Sequence, residues 1–213
     1  ALKGWRDKVT VSTKNHYFGE NETEWRTNLE NSLKRLDVDC IDIYNTHGIN
    51  LKTLDESIKP RILKWLEKAK DEGVIKHICT SFHDNNDAMR KIIDSGIYSS
   101  FTVQYNMLDR QLEDAMAYAH EKNLGVVVMG PVAGGRLGSS SDVLSGLVPG
   151  VERVPELALR FVLSNPNVTV ALSGMSDMKQ VEENIQTASL DTPLSAEETK
   201  LINEQLNRLQ KMK

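Results

Sequence analysis

The feature that most limits how this chain folds is an alternation repeated six times: short β-branched runs trade places with longer amphipathic segments. The spacing predicts strands over Val9–Lys14, Cys40–His47, Val74–Phe82, Phe101–Asn106, Val126–Met129 and Val168–Leu172. These runs are largely apolar, as expected of strands buried on both faces. Helices are predicted over Glu22–Leu36, Ile62–Asp71, Asn85–Ser95, Gln111–Asn123, Pro155–Ser164 and Asp177–Ala188. In the first of them Trp25, Leu29, Ser32, Leu33 and Leu36 recur at three-and-four spacing. Gly73, Gly96 and Gly125 punctuate the helix ends. A short helix is expected over Ala1–Trp5, and a last one over Ser195–Gln210, opened by a capping box of Ser195 and Glu198.

A strict strand-then-helix order implies parallel strands joined by right-handed crossovers. Two architectures satisfy it, an open doubly wound sheet and a (β/α)8 TIM barrel. The doubly wound fold wants a glycine fingerprint after its first strand. Lys14 is followed instead by Asn15-His16-Tyr17-Phe18-Gly19. The expectation is therefore an α/β chain of one domain over 1–213: six βα units of a barrel plus a C-terminal helix. The stretch from Gly134 to Gly150 is read as a long loop, functional or mobile.

Composition excludes several functions. A net charge of -4 and a pI near 5.8 do not suit general nucleic-acid binding. No apolar run reaches the roughly 20 residues of a membrane span. The opening ALKGWRDK lacks the apolar stretch of a signal peptide, so a cytoplasmic location is expected. Cys40 and Cys79 form no CxxC pair and are expected as buried, reduced thiols; no metal site is expected. Trp5, Trp25 and Trp65 are read as packing residues, and His77 and His120 as structural.

In parallel α/β folds the active site lies at the C-terminal strand ends. Those ends carry Lys14, then Asn45 and His47, then Ser81 and His83, then Gln104 and Asn106, then Met129-Gly130-Pro131, then Ser173-Gly174. Side chains alternate along a strand, so Lys14 shares a face with Ser12, His47 with Asn45, and Gln104 with Asn106. A lysine at a barrel mouth can form a Schiff base or support a neighbouring acid. A neutral imidazole can donate to a developing oxyanion. Gln and Asn can hold a planar carboxamide. His16 and His83 could face the mouth, but are read first as loop residues with water or backbone partners.

At these residues the sequence resembles the aldo/keto reductase family. The matching elements are VTVSTK, DIYNTH, HICTSF, VQYNMLDR, VVVMGPVAGGRL and ALSGMSDMKQVEEN, in the family's order. Ser81-Phe82-His83 resembles a branch of the family that often carries an iron–sulfur extension. The resemblance implies reduction of an aldehyde or ketone by NADP(H), with NAD as the alternative cofactor. It implies an Asp–Tyr–Lys–His tetrad in which Lys14 matches the lysine and His47 the histidine. Ser81 and Gln104 match positions holding the nicotinamide amide. Phe82 replaces the usual Asn there, and Met129, beside Gly130 and Pro131, stands where many members stack a Tyr. Gly174, Ser176, Gln180, Glu183 and Asn184 match the segment gripping the adenosine phosphate and adenine. Arg136 is a further candidate for phosphate.

The family's Asp and Tyr belong to the first two strand–helix units, which have no counterpart among these residues. Tyr44 and Tyr105 are expected to face away from the site; Tyr17, three residues after Lys14, is the one conceivable substitute. The expectation is an N-terminally incomplete barrel, completed by a missing segment or by another chain, since open sheet edges invite association. The competing readings are a lyase or aldolase using Lys14 as a Schiff-base nucleophile, and a non-catalytic regulatory barrel.

Overall fold

The structure, a computed structural model, describes residues 2–141, 143–190 and 193–211, the side chain of Gln210 excepted. Six strands are formed: β1 (Ser12–Asn15), β2 (Ile41–Ile49), β3 (Ile75–Phe82), β4 (Ser100–Gln104), β5 (Gly125–Met129) and β6 (Val170–Ala171). They follow chain order in the sheet. Among the described residues the paired strands run parallel. A doubly wound sheet reverses its strand order at a switch point; this one does not reverse. Unreversed order with a helix after every strand is that of six units of a (β/α)8 barrel.

The helices are α1 (Glu22–Leu36), α2 (Leu51–Thr53), α3 (Leu63–Asp71), α4 (Asn86–Asp94), α5 (Glu113–Glu121), α6 (Val154–Leu163), α7 (Met178–Ala188) and α8 (Ala196–Lys211). The residues group into two compact units, Ala1–Thr102 with Tyr118–Gly125, and Val103–Ala117 with Val126–Lys213.

In the first unit the outward face of β2 meets the helix layer through aromatic residues. Tyr44 lies edge-on to Trp25 of α1 at 6.0 Å, and Trp25 lies 6.0 Å from Trp65 of α3. Trp25 and Tyr44 are almost completely buried. The Tyr44 hydroxyl accepts from Asn15 Nδ2 at 3.0 Å. Its acidity is suppressed to a pKa of about 12, chiefly by burial. Tyr44 thus faces away from the Lys14 side of the sheet, as alternation requires.

The segment before α3 departs from expectation. The sequence reading starts this helix at Ile62, whereas helical structure begins at Leu51 and passes through a π-helical stretch, Leu54–Ile62. Pro60 lies inside that stretch. Proline in an α-helix clashes with the carbonyl four residues back. Widening the turn relieves the clash: Leu63 N–H reaches back five residues to the Ile58 carbonyl. The freed Glu56 carbonyl accepts from Arg61 at 3.0 Å. Leu54, Ile58 and Ile62 are fully buried, and that burial sustains the irregular turn. At the far end of α3, Gly73 takes a φ of 75°, and Val74 N–H closes back on the Ala69 carbonyl at 3.1 Å.

Several bland expectations are corrected. Lys3–Trp5 forms a turn, followed by a 3-10 turn over Arg6–Lys8, in place of a helix; Ala1 lies outside the described residues. Trp5 is exposed with the Lys8 ammonium 4.9 Å from its ring, so it packs no core. Both thiols are free, and Cys79 is buried, but Cys40 is only half-buried at the start of β2. His77 and His120 are exposed.

In the second unit Tyr105 is buried, stacks on Phe161 at 5.6 Å and donates to Glu113 Oε1 at 2.7 Å. It too faces the helix side. The stretch from Gly134 to Gly150, apart from Asp142, which is outside the described residues, is folded rather than slack. Leu137, Leu144 and Val148 are buried beneath it. The capping box of α8 forms as expected: Glu198 N–H donates to Ser195 Oγ at 3.2 Å, and Ser195 N–H to Glu198 Oε2 at 2.7 Å. Ser195→Ala should lower stability by about 1 kcal/mol, measured by urea denaturation. The backbone N–H of Ser195 also holds the Glu198 carboxyl below its usual range. A depressed carboxylate stabilises the fold above its ordinary titration range, and that contribution disappears as pH falls through the lowered value.

Candidate functional site

Parallel pairing sets Lys14 opposite Asn45, and Ser12 opposite Ile43. Register partners point to the same side, so Lys14 and Asn45 share the face opposite Tyr44. Asn45 is buried and donates through Nδ2 to Ser12 Oγ at 3.1 Å and to the Thr13 carbonyl at 3.0 Å. Its Oδ1 is buried without a protein donor among the described residues. Two residues on, β2 is irregular between Thr46 and Ile49. Gly48 takes a φ of 67°, and its N–H donates to Ser81 Oγ at 2.7 Å. Ser81, expected at the nicotinamide amide, thus also pins the turn that carries His47.

Lys14 and His47 are brought together electrostatically. The His47 imidazole is held below its ordinary pKa by partial burial first, and then by the positive charges of Lys14, His16 and His83. The shift favours the neutral ring, which can donate a hydrogen bond to a carbonyl oxygen. NMR titration should give His47 a midpoint below the usual imidazole value. Lys14→Met should raise it, since removing a neighbouring cation favours protonation. His16 and His83, weighed between the mouth and the loops, both lie near enough for their charge to act on His47. The available signal was their spacing: each stands two residues beyond a strand-end candidate, Lys14 or Ser81.

Tyr17 has a different job from the one considered for it. Its hydroxyl accepts from Asn21 N–H at 3.0 Å, at the entry to α1. A Cβ on Gly19 would stand 2.6 Å from that hydroxyl, so glycine there lets the ring fold back over its own loop.

In the second unit, Gln104 and Gly130 are neighbours. A Cβ on Gly130 would come within 2.7 Å of both Gln104 amide atoms, and Gly130 has a φ of 65°. The Gln104 carboxamide lies flat against a backbone surface that only glycine provides. Its amide has no hydrogen-bond partner among the described residues. Asn106 is committed to structure: Nδ2 donates to the Gly130 carbonyl at 2.9 Å, and Oδ1 accepts from Leu108 N–H at 2.9 Å. Met129 is half-buried and Pro131 buried. Gly174 is open, with nothing within 4 Å of a Cβ position. Ser176 N–H donates to Gln180 Oε1 at 2.8 Å, and Asn184 Nδ2 to Ser173 Oγ at 3.0 Å. Glu183 pairs with Arg153 at 2.8 Å, more closely than with Lys179 at 3.9 Å. Arg136 is exposed. No group of three His, Cys, Asp or Glu among the described residues is placed to hold a metal. No described helix is long and apolar enough to cross a membrane.

The model of the aldo/keto reductase family matches residues 1–144 and 149–207. L-galactose dehydrogenase of Arabidopsis thaliana is 28% identical over 210 residues, covering 87% of this chain and 65% of the relative. NADH-specific methylglyoxal reductase of Escherichia coli (strain K12) is 26% identical over 212 residues, covering 84% of this chain and 63% of the relative. The chain thus spans less than two thirds of the length of these curated relatives. An aldo/keto reductase from Klebsiella pneumoniae, solved in complex with NADP and acetate, superposes with a TM-score of 0.75 at 28% identity. That match covers 98% of this chain and 72% of the other. Sequence and structural likeness agree over nearly the whole chain, and this chain belongs to the aldo/keto reductase family.

Proposed function

We propose that this chain supplies the Lys–His half of a carbonyl-reducing site and the dinucleotide-binding residues of an NADP(H)-dependent aldo/keto reductase. The observation that carries the reading is the like-charge coupling of Lys14 to His47 at neighbouring strand ends. His47 receives the carbonyl oxygen, and Lys14 lowers the pKa of the proton donor. That donor, with its Asp partner, comes from the two strand–helix units that this chain does not match. They are supplied by a longer form of the protein or by another chain. The nicotinamide cofactor supplies hydride when bound. The partnerless Gln104 carboxamide against Gly130 fits a planar amide, beside Met129 and Pro131. Gly174, Ser176, Gln180, Glu183 and Asn184 take the adenosine end. With Gln180 in place of a cation, contact to a 2′-phosphate is weakened, so NADH is the alternative donor.

Fluorescence titration of this chain with NADPH and NADH tests the reading. Saturable binding, reduced by Gln104→Ala, is expected. A flat titration with both cofactors overturns it. Assay of the full-length protein on generic aldehydes and quinones then separates a reductase from a regulatory barrel, which would bind cofactor without turnover. The second reading stands only because the tetrad's Asp and Tyr are unmatched.

A further inference from the structure

Two asparagines grip the backbone around Lys14 from opposite faces of the sheet. On the lysine's own face stands Asn45, its register partner on β2. The Asn45 amide nitrogen reaches back to β1 and donates to Ser12 Oγ at 3.1 Å and to the Thr13 carbonyl at 3.0 Å. On the other face stands Asn15, the next residue along β1. Its amide nitrogen reaches forward and donates to the Tyr44 hydroxyl of β2 at 3.0 Å and to the Trp25 carbonyl of α1 at 3.3 Å. Its Oδ1 accepts from Tyr17 N–H at 3.0 Å. A carbonyl can only accept, so the bonds to Thr13 and Trp25 fix which way round each amide stands.

The two asparagines are each more than nine-tenths buried, while Lys14 between them is exposed. Hydrogen bonds shielded from water are electrostatically stronger and rigidify what they join. Lysine carries its charge on a flexible four-carbon stem. Such a stem does not direct its own tip, so the strand must set where it starts. The residues before Lys14 are held from one face and the residue after it from the other. The same geometry gives the Tyr44 hydroxyl a use: buried and turned away from the site, it anchors Asn15.

We propose that Asn15 and Asn45 are positioning residues that fix the root of Lys14 at the strand end, with the Tyr44 hydroxyl as the anchor of Asn15. This rests on the reductase reading and adds the residues through which Lys14 keeps its place. Misplacing a catalytic group by about 1 Å can cost about 10²-fold in rate.

Asn45→Leu keeps the approximate size of the side chain and removes both donated bonds. Two measurements on the full-length protein test the proposal. The first is amide hydrogen exchange at Thr13 and Asn15, relative to Ile78 and Cys79 on β3. Exchange at Thr13 and Asn15 should be about tenfold faster in the variant, as loss of two neutral hydrogen bonds allows, with β3 unchanged. The second is a double-mutant cycle in turnover. Asn45→Leu should lower kcat/KM for carbonyl reduction about tenfold and leave cofactor affinity unchanged. In a Lys14→Met background the same substitution should cost less than about twofold, because a residue acting through Lys14 has nothing left to position. A residue that only stabilises the fold gives equal losses in both backgrounds. Equal losses, or exchange at Thr13 and Asn15 no faster than on β3, overturn the proposal. If Asn45→Leu does not fold, Tyr44→Phe, which removes only the oxygen that receives Asn15, carries both measurements, with changes of about threefold expected. If the unsubstituted protein reduces no carbonyl, the reductase reading falls, and hydrogen exchange alone decides whether the two asparagines hold the strand end.

Discussion

Lys14→Met lowers kcat/KM for carbonyl reduction in the full-length protein by about 10²- to 10⁴-fold, the range spanned by loss of acid–base assistance. The expectation follows from charge and position. Lys14 stands opposite Asn45 in the sheet register and acts on His47 as a positive charge. Methionine keeps much of the length and removes the ammonium. A proton donor that depends on the lysine then keeps the high pKa of an unassisted phenol. The acid limb of the pH profile should also move, because His47 becomes easier to protonate without Lys14. A role confined to stability would lower the melting temperature and leave that limb in place. Unchanged turnover would remove Lys14 from the chemistry and leave the family resemblance without its catalytic consequence.

Trp25→Ala lowers unfolding free energy by about 3–5 kcal/mol, the usual cost of deleting a buried aromatic. Trp25 is 2% exposed. Its ring meets Tyr44 and Trp65, and its carbonyl accepts from Asn15 Nδ2 at 3.3 Å. The cavity would lie between β2 and the helices covering it, where rigid aromatic neighbours collapse poorly. Trp25→Phe should recover part of the loss. Denaturation in urea measures both. A loss below about 1 kcal/mol would mean that the aromatic cluster is not what joins α1 to the sheet. Asn15 follows Lys14 directly, so the alanine variant should also loosen the lysine's strand end.

Much of this molecule was legible without coordinates. The six alternations gave the parallel order, because a strand buried on both faces and a helix with one apolar stripe leave different periods in the sequence. Trp25 at helical spacing, Gly73 after a helix and Ser195 with Glu198 all act within a few residues of themselves. Tyr44 and Tyr105 could be turned away from the site by counting alternate positions. Lys14, His47, Ser81 and Gln104 could be named as candidates because strand ends are where such folds place their chemistry.

What the local pattern hid was settled by distant neighbours. The helix before α3 begins at Leu51 because Leu54, Ile58 and Ile62 are buried and the widened turn spares Pro60 its clash. Gly130 is required by Gln104, 26 positions earlier and on another strand. Ser81 ties down the turn beside His47 through Gly48, and the charges of His16 and His83 reach His47 only because β1, β2 and β3 are brought side by side. Period and composition determine which elements form, since those forces act along the chain. Tertiary structure alone decides which side chains become neighbours, because hydrogen bonds and charges act over a few ångströms of space, whatever the separation in sequence.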